Sequence, residues 1–178
     1  WGKPSFLNLR DGVTVTYLKN KLYVGSNSLS LALITNLKPW SRTTLSYRWS
    51  VNEYENNGTD PDRRSRDGFV SYPSLTNHFY FNSKKNLYLI AGYDFERQDT
   101  SGSNYIRNAH GAQLGFHFPF LAKIEGEVDF RFRDLNYNQY AATPPKRRDD
   151  IFTLTVLIRR PLTSYLDLEG SYVFEDSR

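Results

Sequence analysis

Acid–base chemistry in this chain would have to come from three histidines, His78, His110 and His117, and from carboxylates and guanidiniums that recur at alternate positions. A hydrolase needs a histidine held against a serine or carboxylate, yet there is no Gly-x-Ser-x-Gly, no His-Glu-x-x-His and no glycine-rich phosphate loop. His110 and His117 are an odd number of residues apart, so on one strand they point to opposite faces and make a poor metal pair. The absence of cysteine removes thiolate nucleophiles, zinc-thiolate centres and disulfides. The sequence therefore points away from an enzyme, a metal centre and any cofactor.

What remains is a pattern of charge. In Lys123 to Arg133, KIEGEVDFRFR, the even positions (Ile124, Gly126, Val128, Phe130, Phe132) are apolar or small, while Glu125, Glu127, Asp129, Arg131 and Arg133 are all charged. This is a strand with one greasy and one ionic face. Asp94, Glu96, Arg107, Arg159, Asp167 and Glu169 fall on the polar side of their own strand-like segments in the same way. Hairpin geometry places Glu127 or Glu125 opposite Arg159, Arg159 against Asp167, and His117 near Glu125. Such a set either braces a hydrated wall through mutual neutralisation or lines a passage that selects a polar solute.

The elements that must position these charges are strands throughout. Alternation recurs near 12–19, 26–37, 43–54, 68–81, 87–97, 105–118, 123–135, 151–159 and 165–174, with no convincing helix between. The greasy side carries Leu29, Leu31, Leu33, Leu45, Trp49, Leu89, Val128, Phe130, Phe132, Leu154, Val156 and Leu168. Near 68–81 Pro73 interrupts, with Leu75, Phe79 and Phe81 on one side and Tyr72 and Tyr80 on the other. Short links near 38–42, 82–86, 119–122 and 160–164 alternate with long polar ones at 55–67, 98–104 and 135–150. An up-and-down meander crossing a membrane has this asymmetry; Greek-key sandwiches have no reason for it. The first link, roughly Lys19 to Gly25, is then expected on the long-loop side.

Composition agrees without deciding. The 178 residues include 13 Tyr, 12 Phe and 3 Trp, residues that favour strands and membrane interfaces. There is no 18-residue apolar run and mean hydropathy is −0.62, which argues against a helical span but not against a barrel whose strands need only every second residue apolar. A net charge of +4 is too balanced to mark a nucleic-acid partner. Basic clusters at Arg63, Arg64 and Arg66 and at Lys146, Arg147 and Arg148 are mixed with aspartates; they suit solvated loops or, alternatively, the anionic groups of lipopolysaccharide. A chain that begins at Trp1 and contains no Met reads as a processed or excised segment.

The runs LIAGYDFERQDTSGSNYIRNAHGAQLGFHFPF (89–120) and RRDDIFTLTVLIRRPLTSYLDLEGSYVFEDSR (147–178) share a form. Each has a Tyr-x-Phe strand end, a polar loop, a return strand and a short turn beside proline. In this the chain resembles the C-terminal outer-membrane barrels of Gram-negative bacteria, particularly those attached to periplasmic tetratricopeptide repeats. The resemblance implies a pore or scaffold for export of polysaccharide or translocation of surface lipoproteins. It also implies outer-membrane lipid, lipopolysaccharide and periplasmic export or scaffold proteins as partners. No tetratricopeptide repeat is visible in the sequence itself, and the odd count of about nine strands departs from the even count usual in bacterial barrels.

The expectation is an all-β protein, an antiparallel up-and-down transmembrane barrel of about eight to ten strands in this chain and part of a larger barrel. The charges would line its lumen, the aliphatics would meet lipid, and no residue would be catalytic. A non-conducting structural or adhesive barrel fits the same residues. So does a soluble lipocalin-like barrel binding a small apolar ligand, which inverts the faces and puts the charges in water.

Overall fold

A computed structural model describes residues 5–18, 21–54, 66–101, 105–121, 123–137, 147–163 and 166–178. Nine strands follow one another: β1 (Phe6–Leu18), β2 (Lys21–Lys38), β3 (Ser41–Tyr54), β4 (Gly68–Tyr80), β5 (Tyr88–Thr100), β6 (Arg107–Leu121), β7 (Ile124–Tyr137), β8 (Arg148–Pro161) and β9 (Asp167–Ser177). They make a single antiparallel sheet in strict sequence order, each strand hydrogen-bonded to its predecessor. The fold is all-β and up-and-down, as the alternation predicts. Among the described residues β1 pairs only with β2, and β9 only with β8. As first and ninth members of a meander, these two edges run in the same direction.

Most strands are longer at one or both ends than their patterns indicate. Polar terminal residues such as Arg148 and Asp149 join the ladder once a neighbouring strand offers hydrogen bonds. The first connection is a correction. Instead of a loop from Lys19 to Gly25, β2 already begins at Lys21, and Leu18 pairs with Lys21, leaving only residues 19–20 between the strands. A register shift at Thr16/Tyr17 takes up the irregular pattern that made this stretch look like a loop. The long links at this end of the sheet therefore begin after β3.

Register makes each face continuous. Directly paired residues share a face, so Leu33, Leu45, Leu75, Tyr93, Ala112, Phe132 and Phe152 form one row across seven strands. Ala91, Leu114, Phe130, Leu154 and Phe174 form the next. Asp11, opposite Leu29 on the edge strand, interrupts this band. Toward the long-loop end the same face turns polar, with Glu53, Arg97, Asp99, Asp134 and Asp150. At the short-turn end it is aromatic: Trp40 stacks on Phe79, and Phe116 on Phe118, whose ring lies against Gly126.

Pro73 is held within β4. It pairs with Tyr47 of β3, while the ladder to β5 skips Tyr72 and Pro73 without changing register. A missing N–H is tolerated where pairing is needed on one side only. The expected division of this strand holds: Leu75 and Phe79 share the apolar face, Tyr72 and Tyr80 the other.

Candidate functional site

The polar face is the sheltered one. Apart from Ser41 and Gly126, the buried strand residues in the described part of the chain lie on it, among them Asp94 at 5% exposure and Glu96 at 7%. On the opposite face Phe130, Phe152 and Leu45 stay more than half exposed. Side chains from strands that are not neighbours meet on the polar side. Arg131 of β7 reaches over β6 to Asp94 of β5 at 2.7 Å, and its guanidinium also donates to the Tyr72 hydroxyl on β4. Adjacent strands are about 4.8 Å apart, so contacts spanning two and three intervals mean that the sheet curves inward on this face.

One cluster holds five of the expected residues. Glu96 accepts from Arg107 at 2.9 Å through one oxygen and from Arg133 at 2.8 Å through the other. Asp94 accepts from Arg131, and its second oxygen stands 3.8 Å from Nε of Arg133. Arg107 also donates to the Tyr137 hydroxyl at 3.4 Å. Two carboxylates facing three guanidiniums leave this cluster with one net positive charge, and charge-assisted, crosslinked bonds of this kind are the stronger class.

The cluster depends on what β6 lacks. Ala109, Gly111 and Gly115 alternate along its polar face, and all three are buried. A Cβ on Gly111 would stand 2.5 Å from both carboxylate oxygens of Asp94, and one on Gly115 would stand 2.8 Å from Asp129. Small residues on the middle strand form the floor over which β5 and β7 join hands. The sequence carries the signal in Ala109-x-Gly111-x-Gln113-x-Gly115, but it becomes meaningful only once β6 is known to lie between the two charged strands.

The other expected residues form separate groups. His117 contacts Glu127 at 3.4 Å and Glu125 at 3.9 Å, with the Tyr88 ring stacked on it at 4.5 Å. Asp129 accepts from Gln113 at 2.7 Å. Glu125 does stand opposite Arg159 in the register, yet among the described residues the ion pairs of Arg159 run to Asp167 at 3.4 Å and Glu169 at 3.6 Å. His110 lies on the opposite face from His117, bonded to the Tyr93 hydroxyl at 2.7 Å. No group of three or more metal-ligating side chains occurs among the described residues.

Sequence pairing alone did not reveal the roles of Tyr72, Gln113 and Tyr137, which bond to the charged residues from the same face. The twelve residues expected on the greasy side, from Leu29 to Leu168, all lie on the face opposite the cluster. At the long-loop end Arg66 donates to the hydroxyls of Tyr23 and Tyr105, and its guanidinium sits 4.8 Å from the Tyr105 ring centre. The hydrogen bond to Tyr105 is the chief cause holding this cation above its already high ordinary pKa. Arg147 stacks over Tyr137 and pairs with Asp149 at 2.7 Å, and Arg148 pairs with Asp134. The remaining members of the two basic clusters, Arg63, Arg64 and Lys146, lie outside the described residues.

No protein-family model matches the chain, and no curated protein does. Among solved structures it is similar to the crystal structure of the siderophore receptor PirA from Pseudomonas aeruginosa, at 14% identity and a TM-score of 0.49. The match covers 97% of this chain, which spans 32% of that receptor's length.

Proposed function

We propose that this chain is the wall of an outer-membrane β-barrel, with its apolar face against lipid and its charged face lining a hydrated lumen, acting as a pore or translocation scaffold. The observation that carries this reading is the inversion of burial. The aliphatic and aromatic rows are the exposed surface, whereas the ion pairs of Asp94 and Glu96 with Arg107, Arg131 and Arg133 occupy the sheltered, concave side. A lipocalin-like barrel requires the reverse, an apolar concave side and charges in water. Contiguous apolar surface over most of a sheet is not tolerated by a monomer in water.

Strand length and end chemistry also support it. Strands of 13 to 15 residues, such as β4 and β6, extend roughly 43–50 Å at about 3.3 Å per residue. Tilted by about 40°, they cross a hydrocarbon core of about 30 Å with a margin at each end. The aromatic short-turn end and the charged long-loop end of the outer face fit the two interfaces. Since β1 and β9 run in the same direction, they do not close on each other as an antiparallel pair. No residue is catalytic in this reading. The passage suits a polar solute, with polysaccharide or polypeptide export the specific form, and lipopolysaccharide is the partner of the basic loop residues.

The test is the behaviour of the full 178-residue chain on refolding. It is expected to partition into detergent or vesicles and to migrate differently on a gel with and without heating. A chain that stays folded and monomeric in plain buffer would overturn the membrane reading.

A further inference from the structure

The polar face is divided in two. Among the described strand residues every carboxylate on it belongs to β5 or a later strand, where arginines answer Asp94, Glu96, Asp167 and Glu169, and His117 and Gln113 answer Glu125, Glu127 and Asp129. From Phe6 to Tyr80 the strands place no Asp or Glu there, because Asp11 and Glu53 lie on the other face. That half instead carries arginines and hydroxyls. Arg10 pairs in register with Ser30, Ser30 with Arg48, and Arg48 with Tyr72, so all four stand in one row.

Arg10 and Arg48 are exposed and flank Ser30 from either side, and neither has a carboxylate within ion-pair distance among the described residues. Arg48 lies 4.8 Å from the Tyr72 ring centre. The Tyr72 hydroxyl is already engaged by Arg131, so the ring is fixed as a platform at the border of the Asp94–Arg131 cluster. The rows on either side add Ser28 with Ser50, and Ser46 bonded to Ser74 at 2.6 Å. A concavity of about 310 Å³ opens over the row.

We propose that the row Arg10, Ser30, Arg48 and Tyr72 is a binding site for a polyhydroxylated oxyanion, a carboxylate or phosphate carried on a sugar-like body. Two guanidinium forks without a carboxylate partner among the described residues match the oxyanion in charge and in hydrogen-bond geometry. The surrounding serines donate to and accept from hydroxyls, which an apolar anion would leave unused. The site rests on the reading above only in requiring that the polar face be open to water. An anion on this face is drawn toward the acid-free strands β1–β4, while the carboxylates stand on β5–β9 beside them.

The experiment uses the full chain folded in detergent and titrates it calorimetrically with glucose 6-phosphate, gluconate and glucose. The ionic strength is about 10 mM, where screening is weak. Both anions are expected to bind, and glucose is not. Arg48→Gln should weaken them about tenfold, the loss of a charge-assisted fork, and the Arg10→Gln/Arg48→Gln pair should abolish binding. Arg160→Gln, on the outer face, should change nothing. Unchanged affinity in the double glutamine variant, or no binding of either anion to the parent, overturns the site. Heat-modifiable migration checks that each variant is folded. If the glutamine pair does not fold, Arg10→Lys/Arg48→Lys, which keeps charge but loses the fork, should bind more weakly than the parent, and equal affinity counts against the row. Vesicle flotation of the parent separates the readings: failure to insert sinks the membrane proposal but leaves anion binding measurable.

Discussion

Asp94 and Arg131 show what a charge costs when it is nearly buried. Asp94 is 5% exposed and its oxygen is 2.7 Å from Arg131, whose side chain keeps 37% of its surface. Removing one partner strands the other in a site shaped for a pair. We expect Asp94→Ala to destabilise by about 1–3 kcal/mol, below the range for wholly buried pairs because Arg131 retains water. The Asp94→Ala/Arg131→Ala double variant should lose less than the sum of the singles, with a coupling of about 1 kcal/mol or more. Urea titration of the detergent-folded chain measures all three, and strict additivity would mean that the pair does not interact. The residues to be charged were legible in the sequence, but the partners were not. Strand alternation fixes a face, while contacts that skip a strand depend on Gly111 being small.

At the scale of the element, the strands and their faces were the most legible part, because alternation is a property of each segment alone. Their ends were less so. The link expected from Lys19 to Gly25 disappeared into β2 since Gly25 is a poor strand former that nonetheless pairs with Val15. The short turns yield a separate prediction. Lys123, between β6 and β7, has a φ of 68°, in the left-handed region that a Cβ disfavours by about 1 kcal/mol. Lys123→Gly should therefore be neutral or stabilising by up to about 1 kcal/mol, and Lys123→Val should destabilise by at least as much. Chemical denaturation midpoints test this, and a more stable valine variant would contradict it.

Over the whole molecule, two questions were not answerable from one sequence: which face is concave, and which charges neutralise which. Alternation is symmetric with respect to inside and outside, so KIEGEVDFRFR alone serves a membrane barrel and a soluble one equally. Curvature breaks the symmetry, and it appears here in contacts between β7 and β4 and in the burial of Asp94 and Glu96. The absence of cysteine allows the resulting claim to be measured site by site. A nitroxide placed on single-cysteine variants at Asp129, Phe130, Thr153, Leu154, Thr155 and Val156 in lipid vesicles reports collision with oxygen, which concentrates in lipid, against a water-soluble nickel chelate. The account predicts strict alternation, with oxygen favoured at Phe130, Leu154 and Val156 and the chelate at Asp129, Thr153 and Thr155. Chelate access at Phe130, Leu154 and Val156, or oxygen preference at the threonines, would contradict it.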